Sequence, residues 1–260
     1  MRYARIRLDG RPVHAQIDGE VAHVLDGSPI DGEPRRAGVA VPLQEVDFLP
    51  PVMPGVFYAV GLNYRRHIEH YGGVVPDRPE VGYRANNALT GHNLPVVRLA
   101  GVQGRFEAEG ELVAVIGRTL RHATRTEAQE SIFGWTIGND VSAREWQHSD
   151  RTFWRSKNSD TFKPMGPWIE TGVDPLAQTT TVRIDGVVKA EFATGDMVFD
   201  PFDYIAEITK YITMHPGDVL WMGADSTVQL EPGSTVDIEI TGIGTLSNPV
   251  VDEKGTPHVE

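Results

Sequence analysis

Cysteine is absent from this 260-residue sequence, which removes disulfides, thiolate metal sites and cysteine nucleophiles at once. No run of about 18 apolar residues occurs, so no membrane-spanning helix is expected. The opening residues, MRYARIRLDG, lack the apolar stretch of a secretory signal. These absences set the expectation of a cytoplasmic protein with no membrane partner. Basic residues are outnumbered: 24 Lys and Arg stand against 36 Asp and Glu, a net charge of −12. An acidic chain repels phosphate backbones, so nucleic acid is not an expected partner. Also missing are a serine-nucleophile elbow, a P-loop and a dinucleotide fingerprint.

What is present is 40% hydrophobic residues, enough for a substantial core, distributed mainly as strands. YARIRLDGRPVHAQIDGEVAHVL alternates apolar and polar residues around two Asp-Gly turn signals. FLPPVMPG, rich in proline, reads as a boundary, giving an N-terminal β domain over 1–50 and a larger domain over 51–260. VFYAVGLNY predicts a strand running into a helix or loop at RRHIEHYGG. TRTEAQESIF predicts a short helix with a Thr124–Glu127 capping box. TTTVRIDGVVKAEFATG predicts a hairpin about Asp185-Gly186. DPFDYIAEITKYI predicts a helix with Ile205, Ile208 and Ile212 on one face. HPGDVLWMG and STVDIEITGIGTL predict strands. MGPW, with Gly166 and Pro167, reads as a turn.

One stretch carries chemistry. In RFEAEGELVAVIG, Glu107, Glu109 and Glu111 alternate and lead into an unbroken apolar strand. Side chains two apart on a strand share a face, so the three acids are expected to project together. Like charges beside a buried segment repel one another and resist desolvation. A hard divalent cation would resolve this, since Mg²⁺ and Mn²⁺ take oxygen ligands. A third ligand must come from elsewhere, and Asp140 in GNDVSARE is the best candidate. Taken alone, an E-x-E at the start of a strand is usually a solvated face.

Several ordered segments go further. VGLNYRRH (60–67), EGELVAVIG (109–117), GWTIGNDVSARE (134–145), KNSDTFKPMGPWI (157–169) and HPGDVLWMG (215–223) together resemble the fumarylacetoacetate hydrolase family. The resemblance covers most of residues 55–250. It implies an α+β, mainly β fold: a rolled mixed β-sheet domain with a small N-terminal β domain, commonly a homodimer. It also implies a small-molecule 2-oxo or 2,4-dioxo acid substrate. The metal ligands would be Glu109, Glu111 and Asp140, holding Mg²⁺ or Mn²⁺, with Ca²⁺ as a further candidate. Glu107 would then be a charge on the rim.

The same resemblance makes His67 the candidate general base. Where the family commonly has a partnering Glu, this chain has His70, with Glu69 one position early. On a helix His67 and His70 share a face and Glu69 does not. Lys157 would pair with the carboxylates or stabilise developing oxyanion charge. Thr161 would bind substrate or a metal-bound water. Arg144 and Gln147, one helical turn apart, would face the pocket, Arg144 capturing a substrate carboxylate. Arg84 follows Tyr83 where members often carry a lysine after an aromatic. Met222 stands in place of a substrate-binding hydroxyl residue, with Ser226 or Thr227 as substitutes.

Hydrolysis of an acylpyruvate-like C–C bond is the default expectation. Decarboxylation, tautomerisation or hydration is the near alternative, favoured by the altered residue 70. A β-rich protein that binds a metabolite without chemistry is the rival from another class. Residues 66–82, rich in Gly and Pro, are expected to form a lid.

Overall fold

The computed structural model describes residues 1–70 and 72–254. Strands dominate. The largest sheet runs, edge to edge, Arg36–Pro42, Val21–Leu25, Arg11–Asp18, Arg2–Leu8, Lys163–Glu170, Ile132–Asn139, Gly110–Ile116, Val219–Trp221, Phe57–Ala59 and Gly82–Tyr83. The N-terminal meander is therefore hydrogen-bonded into this sheet, Arg2 lying opposite Glu170 and Tyr3 opposite Ile169. A second sheet joins Val187–Ala193, Thr179–Ile184, Thr235–Ile240, Gly244–Asp252 and Val96–Arg98.

The strand Gly110–Ile116 is buried at every position because apolar layers cover both of its faces. Leu112, Ala114 and Ile116 pack with Val182, Ile238 and Ile205. Val113 and Val115 pack with Trp221, Met165 and Phe57. At about 1.5–3 kcal/mol per fully buried aliphatic side chain, this double burial fixes the strand firmly. This fully buried strand carries Glu111, and Glu109 directly precedes it.

Local chemistry explains the other elements. The helix Arg125–Ser131 starts with the reciprocal Thr124–Glu127 capping box. The helix Pro201–Thr209 is capped by Asp200 and buries Ile205 and Ile208. Ile212 follows the end of that helix and packs half-buried against the same core. The hairpin of Thr179–Ile184 and Val187–Ala193 turns at Asp185 and Gly186, both with positive φ.

MGPW is not a turn: it lies inside the strand Lys163–Glu170. The ladder to Ile132–Asn139 skips there, pairing Ile137 with Gly166 and then Trp135 with Glu170. Pro167 has no N–H to donate, and the irregularity accommodates it.

Candidate metal and substrate site

Strand pairing brings the three acids Glu109, Glu111 and Asp140 together, Glu109 and Asp140 flanking the paired strands. Gly110 lies opposite Asn139 and Glu111 opposite Gly138, so Asp140 follows directly beside the E-x-E. The Asp140 N–H donates to the Glu109 carbonyl at 3.0 Å, and the Glu109 N–H donates to Asn139 Oδ1 at 3.2 Å. Gly138 is a glycine for a packing reason. A Cβ there would sit 2.5 Å from the Trp221 ring.

Each of Glu109, Glu111 and Asp140 offers one carboxylate oxygen within 4.8 Å of the other two, and all three residues are buried. Cations surround two of them. Lys157 Nζ lies 2.8 Å from both Glu109 Oε2 and Asp140 Oδ2. Arg144 Nη2 donates to Glu109 Oε1 at 2.7 Å, and Arg84 Nη2 to Asp140 Oδ2 at 3.0 Å. Burial pushes the Glu109 carboxyl up, but Lys157 and Arg144 more than offset it and hold it at about 2. Burial acts likewise on Asp140, and Arg84, Lys157 and Lys163 pull it well below the usual carboxylate range.

Glu111 differs. Among the described residues it forms no ion pair, and its Oε2 accepts the Gly223 N–H at 2.8 Å. Burial, then the charges of Asp140 and Glu109, push its carboxyl well above the ordinary value. A buried carboxylate with no ion pair of its own, opposed by the Gly223 N–H and the more distant charge of Lys157, in an all-oxygen donor set, fits a hard divalent cation. Gly223 holds φ +78°, a conformation that favours glycine, while presenting that N–H.

These groups open on a cavity of about 480 Å³, which Arg84, Lys157, Arg144 and Gln147 also line. His67, on the helix Arg65–His70, joins them with Nε2 3.8 Å from Glu109 Oε1. Burial lowers the His67 imidazole below its ordinary value, and Arg144 and Lys157 reinforce this against Glu109. The ring is therefore neutral near pH 7, the form a base requires. Glu80, Val81 and Gly82 form one wall. They belong to the 66–82 stretch, of which Tyr71 lies outside the described residues.

Other expected site residues sit elsewhere. Glu69 and His70 are exposed and do not line this cavity, because the helix turns them outward while His67 points in. Thr161 lies outside the cavity as well, its Oγ1 accepting the Val97 N–H at 2.9 Å. Met222 packs in the apolar core rather than facing substrate. The loop meets the cavity through Gly223 and Ala224, and Ser226 and Thr227 are not part of the lining. Arg144 reaches the cavity wall, but its guanidinium engages Glu107, Glu109 and Gln147.

Glu107 is not a rim charge. The strand breaks at Glu109, so Glu107 belongs to Phe106–Ala108 in a separate three-stranded sheet. It is buried, between Arg105 and Arg144.

Two residues escaped the sequence reading. Lys163 is fully buried, with Nζ 2.6 Å from Asp140 Oδ1 in an ion pair that lacks hydrogen-bond alignment. It donates instead to the Val141 and Phe162 carbonyls at 2.9 Å. Burial lowers its ammonium to about 7 despite Asp140. Asn63 donates to the Phe199 and Met222 carbonyls at 3.0 and 3.1 Å, tying the His67 segment to the Gly223 loop. A lysine inside a strand pattern and the asparagine of GLNY were the available signals.

The family model for the fumarylacetoacetate hydrolase C-terminal domain matches residues 56–251. The chain belongs to the fumarylacetoacetate hydrolase family. A second family model, described as Rv2993c-like N-terminal, matches residues 1–51. Among similar proteins, Protein Rv2993c of Mycobacterium tuberculosis is 38% identical, covering 99% of this chain and 100% of that protein. The solved structure of a 5-carboxymethyl-2-hydroxymuconate delta-isomerase from Mycobacterium smegmatis matches at a TM-score of 0.89 and 35% identity, over 97% of this chain and 100% of that one. That of a 2-hydroxyhepta-2,4-diene-1,7-dioate isomerase from Mycobacterium marinum matches at 0.88 and 36%, over 98% and 100%.

Proposed function

We propose that this family member is a divalent-metal-dependent isomerase that moves a proton within a 2-oxo or 2-hydroxy-enoic dicarboxylic acid. The observation that carries this is the imidazole of His67 facing the same cavity as the buried Glu109–Glu111–Asp140 cluster, its Nε2 3.8 Å from Glu109 Oε1. The isomerase names of the two similar structures support it.

Glu109, Glu111 and Asp140 would hold Mg²⁺ or Mn²⁺, which supplies Lewis acidity toward a developing enolate. The chain's own groups do the rest. Neutral His67 accepts a proton from one substrate position and returns it at another. Lys157 and Arg84 place positive charge beside Asp140, where negative charge on the substrate oxygen is stabilised. A C–C hydrolase must in addition activate a water, and Glu69 and His70, the nearest sequence candidates to assist, lie outside the cavity. A homodimer in solution is part of this reading and is checked by the solution mass.

The test follows enol absorbance of such acids with Mn²⁺ and with EDTA. Metal-dependent loss of absorbance, with substrate mass unchanged, is expected. Glu109→Gln is expected to remove that activity. Cleavage into two smaller acids would assign the C–C hydrolase reaction instead. A rate that EDTA leaves unchanged would remove the metal from the account.

A further inference from the structure

The first acid of RFEAEGELVAVIG, Glu107, has no place in the chemistry above, yet it is buried and held on both sides. Glu107 Oε1 accepts Arg105 Nε at 2.8 Å. Glu107 Oε2 accepts Arg144 Nε at 2.7 Å. Strand pairing enforces this meeting: Phe106 lies opposite Ala143 and Glu107 opposite Ser142, so Arg144 emerges next to Glu107. The Arg144 N–H also donates to the Arg105 carbonyl at 2.9 Å.

The consequence falls on Glu109. The Arg144 guanidinium is divided: its Nε edge goes to Glu107, Nη1 to Gln147 Oε1 at 3.1 Å, and Nη2 to Glu109 Oε1 at 2.7 Å. A planar guanidinium presents its donors in a rigid fork, so fixing one edge fixes where the others point. Without the Glu107 charge, a buried guanidinium would turn its whole charge on Glu109. A divalent cation would then compete with it for that carboxylate.

We infer that Glu107 is a positioning residue for the metal centre: it neutralises and orients Arg144, so that Glu109 stays available to a cation. This rests on the metal-dependent reading. It makes the E-x-E-x-E stretch one unit, with two acids facing the cation and the first restraining the arginine between them.

The test is Mn²⁺ binding to the metal-free full-length protein, followed by electron paramagnetic resonance, with folding of each variant checked by circular dichroism. Glu107→Gln is expected to weaken Mn²⁺ binding about tenfold or more, the scale of outer-shell changes at metal sites. The double variant Glu107→Gln, Arg144→Met removes the stranded charge and is expected to bind at least as tightly as the wild type. A merely structural role for Glu107 would leave the double variant as weak as the single one, and that result overturns the inference. Unchanged binding in Glu107→Gln overturns it too. Should the single variant fail to fold, the double variant decides alone, weak binding counting against the proposal. A wild type that binds no Mn²⁺ would instead sink the metal reading itself.

Discussion

His92 shows how burial sets pH behaviour away from the site. Its Nδ1 accepts the Ser247 N–H at 3.0 Å, and its ring meets Phe48 edge-on at 5.4 Å. Burial lowers the imidazole from 6.5 to about 4, partly opposed by Asp237. The folded state therefore binds this proton less readily than the unfolded chain. The resulting stability is full above pH 6.5 and is lost as pH falls toward 4, about 3 kcal/mol in all. His92→Gln is expected to flatten the acid side of the stability profile, measured by chemical denaturation at pH 7 and pH 4.5. Equal slopes in both proteins would contradict this. At the same scale, the acids at 109 and 111 were legible because strand parity and the family resemblance agreed. Glu107 was not, because the strand breaks at Glu109, which no alternation pattern reveals. The placement of Met222 was not legible either. A loop of mixed polarity does not say which side chain turns into the core.

Among the elements, short-range chemistry was the most legible. The Asp-Gly hairpin and the Thr124 cap follow from residues within one turn of each other. The helix Pro201–Thr209 belongs to the same class: Asp200 Oδ1 accepts the Phe202 and Asp203 N–H groups at 2.9 and 3.1 Å. Arg125 pairs with both Asp200 and Asp203, which ties this helix to Arg125–Ser131. Asp200→Ala is expected to cost about 1–2 kcal/mol of stability and to leave Mn²⁺ binding unchanged, because the cap is remote from the cavity lining. Thermal unfolding and the Mn²⁺ titration check the two halves separately. A stability loss below about 0.3 kcal/mol would contradict the capping account. MGPW misled because proline and glycine signal turns in isolation. The strand there is dictated by three neighbours distant in sequence, Arg2–Leu8, Leu89–Thr90 and Ile132–Asn139. Long-range pairing of this kind outweighs local propensity.

For the whole molecule, the mainly β character was legible from alternation, and the rolled mixed sheet from the resemblance. The sheet order was not: Arg2 pairs with Glu170 and Tyr3 with Ile169, far apart in the sequence, and nothing local encodes that. The boundary between the two family matches falls between residues 51 and 56. Hydrogen bonding nevertheless runs through it. The N-terminal strands continue the sheet that carries Glu111, so that sheet draws strands from both family-matched regions. No helix among the described residues is long and apolar enough to cross a membrane. The acidic surplus of the sequence does not extend to the site. There Arg84, Arg144, Lys157 and Lys163 pair with Glu109 and Asp140, and Glu111 has no ion pair among the described residues.

Solvent deuterium exchange reads out proton transfer by His67 itself. A 2-oxo dicarboxylic acid is incubated with the protein and Mg²⁺ in D₂O, and proton NMR follows the signal at the carbon next to the carbonyl. The account expects enzyme-dependent loss of that signal, abolished by EDTA and strongly reduced in His67→Gln, with the carbon skeleton intact. Exchange that proceeds equally well in His67→Gln, or without metal, would contradict it.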